Sequence, residues 1–303
     1  ARVRDGSTVV TSNGGSVSVS AQDASSIESV AGAAQLSIAV AQDTATAVGL
    51  GFSLTNNDIA NDTRALVNGS SITSAGALDV TADSTATIDS LAFGIGVNVA
   101  ISPGARAIAA GATGAVSFNT IANDVEAAID GAPFITTGGT LTVEADDESS
   151  ISAVATAGAA SVAGSGNAQG ASIAIGLALA HNTIDKDVAA RIADVPVVST
   201  GGNAVTVQAF DEASIDVISA AAALSVGIGN TGAGAAGGGS ESTNVILSRT
   251  VASVEDSALG SDAQPVGAVT LEAVSWASIQ ATVAGVAVGV GVGTSAVGAG
   301  VAV

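Results

Sequence analysis

The chain has 303 residues, with 27 acids against 7 bases for a net charge of −20, yet only 11% of its residues are charged and 48% are apolar. A positive mean hydropathy rules out a disordered acidic tail, and the absence of Cys rules out disulfides, thiolate nucleophiles and Cys-based metal centres. The shortage of bases argues against a nucleic-acid partner, and an apolar complement made mostly of Ala and Val beside 38 Gly allows only a thin, closely spaced core.

Read from the start, the chain is a succession of similar units. A pattern Ala-x-x-x-x-(Ser/Thr)-Ile places its isoleucine at Ile27, Ile88, Ile151, Ile215 and Ile279, spaced 61, 63, 64 and 64 residues apart. Between these lies Asn-x-Ile-(x)5-Ala-x-(Val/Ile), with its asparagine at Asn57, Asn119, Asn182 and Asn244, spaced 62, 63 and 62. Repetition at a fixed long period is the mark of a solenoid or array. Ala1 and Val3 fit the end of one further Asn copy, so the expectation is a window of a longer array. Its units are approximately 1–63, 64–125, 126–188, 189–250 and 251–303.

Within the unit 64–125 the expected elements are strands. Ala65–Val67 is a short strand closed by the turn signal Asn68-Gly69. Two more short strands, Ser71–Thr73 and Ala77–Ala82, flank Ser74-Ala75-Gly76. From Leu91 to Val99 larger apolar residues alternate with small ones, Pro103-Gly104 turns the chain, and Ala105–Phe118 returns. Three short strands and two long arms per unit are therefore expected. Leu36–Val40, Ala171–Leu177 and Val286–Val292 repeat the arm pattern, Val, Ile or Leu on one face and Gly, Ala or Ser on the other. β-branched residues at a period of two exclude a helical reading. Residues 273–303 carry no charge and are long enough to span a bilayer, but Gly/Val alternation without Tyr or interfacial Trp argues against membrane insertion, as helix or barrel.

The repeated Ala-x4-(Ser/Thr)-Ile strand, the Gly/Ala/Val arms and the Asn-x-Ile element together resemble the repeat region of very large bacterial surface proteins. The family is that of the leukotoxin-type filamentous adhesins built from β-strand repeats. The resemblance covers the whole chain on motifs of composition and implies a secreted, cell-surface β-solenoid stalk, with adhesive or toxic activity elsewhere in the parent protein. It supplies no catalytic residues.

Candidate sites are few. His181, the only histidine, stands where other units have Asn56, Phe118 and Thr243, which fits a tolerated surface position better than a catalytic one. Gly227-Ile228-Gly229-Asn230-Thr231-Gly232 matches a dinucleotide fingerprint but is followed by a Gly/Ala run instead of a helix, so it reads as the turn between arms. Asn61-Asp62-Thr63 and Asn68-Gly69-Ser70 fit a glycan acceptor, but neither recurs. The Asn series and the Ile series are expected to stack into ladders, the amides hydrogen-bonding along the column and stabilising a turn.

Asp146, Asp147, Glu148, Asp211 and Glu212 are the sharpest candidates. Stacking in register sets Asp147 by Asp211 and Glu148 by Glu212, where carboxylates at about 4.8 Å repel. A Ca2+ ion held by these oxygens would relieve the repulsion. The competing reading is a solvated acidic edge that suppresses aggregation. The expectation is thus an all-β parallel solenoid, each period forming one large coil, with no cofactor beyond Ca2+ and no enzymatic activity. Such a chain would serve as an extracellular fibre or stalk segment whose partner is itself or adjoining repeats, end to end. The alternative is an adhesive or Ca-binding repeat module on a cell or mineral surface or a glycan.

Overall fold

The computed structural model describes all 303 residues. They form fifteen strands: β1 Arg2–Val3, β2 Thr8–Val10, β3 Val17–Val40, β4 Thr44–Asn68, β5 Ser71–Ser74, β6 Leu78–Ser102, β7 Arg106–Asp130, β8 Ile135–Thr137, β9 Leu141–Ser165, β10 Gln169–Ala193, β11 Val198–Ser199, β12 Val205–Ile228, β13 Thr231–Glu255, β14 Val269–Val292 and β15 Ser295–Ala302. All strands pair in parallel within three sheets. An outgoing sheet stacks β3, β6, β9, β12 and β14, a return sheet stacks β1, β4, β7, β10, β13 and β15, and a short base sheet stacks β2, β5, β8 and β11. One period is therefore one large flattened coil: a base strand, a long outgoing strand, a turn at the tip and a long return strand. In the last coil the base is a single bridge from Val198 to Leu259.

The expected short strands Ala65–Val67 and Ala77–Ala82 are not separate elements. Each is continuous with its neighbouring arm, giving strands of 24–25 residues where three short and two long were expected. No Pro, Gly turn or bulge interrupts the run, so nothing stops the ladder. β6 and β9 pair from Leu78↔Leu141 to Ser102↔Ser165 at a constant offset. Variation in period is absorbed in the turns: Val40↔Ile101 and Thr44↔Arg106 flank a tip turn one residue longer in the second coil. The unit boundaries read from sequence fall inside return strands, which changes only the phase of the repeat.

Alternation divides every long strand into an inward and an outward face, and the inward apolar residues shrink from base to tip. At the base, Val67, Ile72, Leu78 and Val80 converge from all three sheets and are fully buried. Midway runs the ladder Ile27↔Ile88↔Ile151↔Ile215↔Ile279 of the outgoing sheet, whose members from Ile27 to Ile215 pack on Ile59, Ile121, Ile184 and Ile246 of the return sheet. Each fully buried isoleucine contributes about 1.5–3 kcal/mol through the water it leaves. Toward the tip the buried apolar residues are alanines, as with Ala45, Ala47, Ala100, Ala107, Ala109 and Ala163, interleaved with buried Asn98, Thr113, Ser161, Ser172 and Ser225.

Glycine lets the two sheets close at the tip. A Cβ on inward-facing Gly94 would lie 2.7 Å from the Gly114 carbonyl oxygen, and one on Gly176 would lie 2.8 Å from that of Ala222. Backbone faces backbone there, so the large residues of the arms must point the other way. Leu36, Ile38, Leu50, Phe52, Ile95, Ile175 and Leu177 are all exposed on the outer faces. The rings of Phe93 and Phe52 lie over Gly32 and Gly114 of adjacent coils, where a Cβ would collide with them.

The two kinds of glycine should respond oppositely to substitution. Gly94→Val is expected to cost about 1–3 kcal/mol or more by forcing the sheets apart. Gly158→Val, on the outer face with nothing within 4 Å of its Cβ position, is expected to be neutral or stabilising. Urea unfolding of both variants at low concentration checks the contrast.

Candidate functional site

The chemistry-bearing side chains lie inside the coil in columns that run across the strands. Asn57, Asn119, Asn182 and Asn244 face inward from the middle of the return strands, in register. They do not sit in a turn, as their sequence context suggested, because the ladder continues through them. Asn57 Nδ2 donates to Asn119 Oδ1 (2.7 Å), Asn119 Nδ2 to Asn182 Oδ1 (2.7 Å) and Asn182 Nδ2 to Asn244 Oδ1 (2.8 Å). The second donor of each amide finds a hydroxyl where one is present: Asn57 donates to Ser29 Oγ, Asn119 to Ser117 Oγ and Asn244 to Ser242 Oγ. Thr55, Ser90 and Ser117 close a small hydroxyl cluster beside the ladder. Amides suit such a column because each carries both a donor and an acceptor, so identical neighbours satisfy one another.

Four residues further along, the return strands place Asn61, Asn123, Lys186 and Ser248 in one inward column. It faces Asp23, Ser84, Asp147, Asp211 and Ser275 of the outgoing sheet. In the first coil, Asn61 Nδ2 donates to Asp23 Oδ2 at 2.6 Å. In the third, Lys186, the chain's one lysine, lies between two carboxylates of successive coils. Its Nζ is 2.7 Å from Asp147 Oδ1 and in ion-pair contact with Asp211 Oδ1, and all three side chains are fully buried. Nζ also donates to the carbonyl of Glu212 at 2.7 Å. Asp147 accepts further from Asn123 Nδ2 (2.8 Å) and Ser149 Oγ (2.5 Å), and Asp211 from Ser275 Oγ (2.7 Å).

The five acids singled out from sequence are thus divided by alternation. Asp147 stacks by Asp211 and Glu148 by Glu212, as in-register pairing requires. Asp147 and Asp211 point inward to Lys186, however, while Asp146, Glu148 and Glu212 point outward. The buried pair is therefore not a solvated edge, and its repulsion is relieved by an ammonium group of the protein itself. Lys186 escaped sequence reasoning because a single lysine carries no repeat signal. Its parity with Asn182 and Ile184 was the available clue that it faces inward.

On the outer face of β9, burial raises the pKa of Glu144, with Asp146 and Asp83 adding to it. Burial likewise raises Asp146, reinforced by Asp83, Asp147 and Glu148. The outer return face carries ion pairs between coils, Arg64 with Asp124 and Glu126, Arg191 with Glu126 and Arg249 with Asp187. His181 lies exposed on that sheet with its ring 6.1 Å from that of Phe118. Gly229 and Asn230 form the tip turn between β12 and β13. Of the two glycan-acceptor asparagines, Asn61 is tied to Asp23 and Asn68 is exposed. Comparisons with protein-family models, curated proteins and solved structures return no match.

Two outcomes are expected. Lys186→Met leaves two carboxylates buried without a counter-charge and is expected to cost about 3–5 kcal/mol. Adding Asp147→Leu and Asp211→Leu is expected to restore most of the loss, because an apolar replacement of the whole group is close to neutral. Chemical denaturation of the single and triple variants checks this. For Glu144 and Asp146, a folded pKa above the unfolded one means that the native state binds more protons between the two values. Their contribution is full below the unfolded pKa and is lost as pH rises through the folded one. Lowering pH from neutrality into the upper carboxylate range is expected to raise Tm, and Asp146→Asn to raise Tm at pH 7 while flattening that dependence, as read by calorimetry.

Proposed function

We propose that this chain is a structural element, a stiff fibre or stalk segment of a bacterial cell surface that extends by stacking coil on coil. The observation that carries the reading is the unbroken register: each long strand pairs with its counterpart in the next coil over its full common length, from β3 through β14. A coil presents the same row of backbone donors and acceptors to each neighbour, so the stack has no preferred length. Interior amide and isoleucine ladders penalise any slip by one residue, since alternation would turn them outward. Such a stack has no loop long enough to be an easy proteolytic target along its arms. The resemblance of the repeats to filamentous adhesin stalks supports the same reading.

Fibre diffraction or a cryo-EM power spectrum of assembled material tests it. The expected result is a meridional spacing of about 4.8 Å, with one coil advancing by one such layer. A discrete monomer at high concentration, giving no axial repeat, would overturn the fibre role.

A further inference from the structure

The end faces of the stack are not its only interaction surface. The tip half of each coil, residues 30–54, 91–118, 154–181, 218–240 and 282–303, holds only two of the 34 charged residues, Asp43 and Arg106, both at tip turns. On both sides of this blade the outward residues are aliphatic, small or aromatic, with Phe52, Phe93 and Phe118 among them and His181 at the margin of the return face. The belt from Leu91 to Ile101 is about 35 Å long at 3.3 Å per residue, and five coils at about 4.8 Å make it roughly 24 Å high. Each face therefore offers about 800 Å2, the area per partner of a stable protein interface.

The faces are ridged. On the return sheet, Leu50, Phe52 and Leu54 of the first coil and Ile173, Ile175 and Leu177 of the third stand out as exposed large residues. Between and beyond them lie small residues in register, Ala112 and Gly114 in the second coil, Ala235 and Gly237 in the fourth. The outgoing sheet has its trough at the third coil, where Gly158, Ala160 and Gly164, with Val162 between the last two dividing the trough, lie between Ile95, Val97 and Ile101 on one side and Leu224 and Ile228 on the other. That trough opens into concavities of about 340 Å3 over Gly158 and about 380 Å3 over Gly164. The ridge of the third coil on one face thus backs the trough of the same coil on the other.

We propose that the blade is a lateral interface between copies of this chain, in which the return face of one molecule seats its Ile173–Leu179 ridge in the Thr156–Gly164 trough of the next. Ridge meets trough with both strands in the same coil, so no shift along the stack is needed. A single type of contact then covers both apolar faces of every molecule, whereas pairing like faces leaves one face of each bare. Each molecule is turned by half a revolution about the face normal relative to the last, so the blades overlap and the bases project at opposite edges; the contact is heterologous and open, and generates a ribbon of stacks that alternate in direction. The acidic base halves, which would repel, lie away from it. This goes beyond end-to-end stacking, which leaves the ridge and trough of different copies uncoupled.

The absence of native cysteine gives a direct test. Leu177→Cys and Ala160→Cys chains are mixed under mild oxidation, with each variant alone and Thr206→Cys, on the base half, as controls. The expected result is a mixed disulfide in several-fold excess over either homodimer and over the Thr206→Cys products. The outward double variant Ile175→Glu/Leu177→Glu is expected to keep its Tm while losing lateral association in sedimentation. A homotypic Leu177→Cys product in excess would overturn the face-to-face geometry. Coupling no faster than the base-half control, or partition of the chain into zwitterionic phosphatidylcholine vesicles in place of self-association, would overturn the proposal altogether.

Discussion

In this fold almost every residue has its own counterpart from the next coil as a neighbour, about 4.8 Å away. Parallel in-register stacking imposes that condition, and side-chain chemistry decides where it helps. Isoleucines pack on isoleucines, and amides both give and receive, so the Ile27–Ile279 and Asn57–Asn244 columns gain from repetition. Carboxylates can only accept, and two of them stacked in the interior are tolerated because Lys186 reaches both from the opposite sheet. On the outside, where water screens like charges, acids are repeated with less cost, though Glu144 and Asp146 still hold their protons more tightly than usual.

The second constraint is thickness. A coil closed on one side by a short base strand and on the other by a turn of a few residues must taper. Apolar side-chain volume falls from Leu78 and Ile72 at the base through Ile88 to Ala100 and Gly94 near the tip. Once backbone meets backbone in the blade, alternation sends each larger neighbour outward. The hydrophobic residues of the arms are therefore where interior packing leaves no room for them, an inversion of the usual assignment of large apolar side chains to the core.

Much of this was legible before any coordinates, and the reason is the repeat. A 61–64-residue period with conserved Ile and Asn places within each unit fixes register, and β-branched alternation fixes strand. What stayed hidden was the sign of each face. Alternation says that Leu91 and Gly94 point opposite ways, but burial of the glycine face is set by the separation of the two sheets, a property of the whole coil. The same gap explains the misplaced Asn column: Asn-x-Ile resembles turn chemistry locally, yet Asn57 and Ile59 share a face and belong to one continuous strand. Lys186 was obscured for the opposite reason, as a single departure from the repeat that matters through a partner in the facing sheet.

Charge and apolar surface are segregated along the same axis. The wider part of the coil carries buried charge inside, at Lys186, Asp147 and Asp211, and acids outside, whereas the blade holds only neutral polar side chains such as Asn98, Thr113 and Ser161 in its interior and contains almost no charge. A net charge of −20 on a chain with this much exposed Leu, Ile and Val is thus not spread as a uniform solubilising coat. It is concentrated on the base half, around the largest buried core, and it leaves the flat faces of the blade neutral. A molecule organised in this way resists clumping through its base while keeping two apolar faces whose relief is complementary. Its solubility and its capacity for ordered association therefore reside in different halves of the same coil.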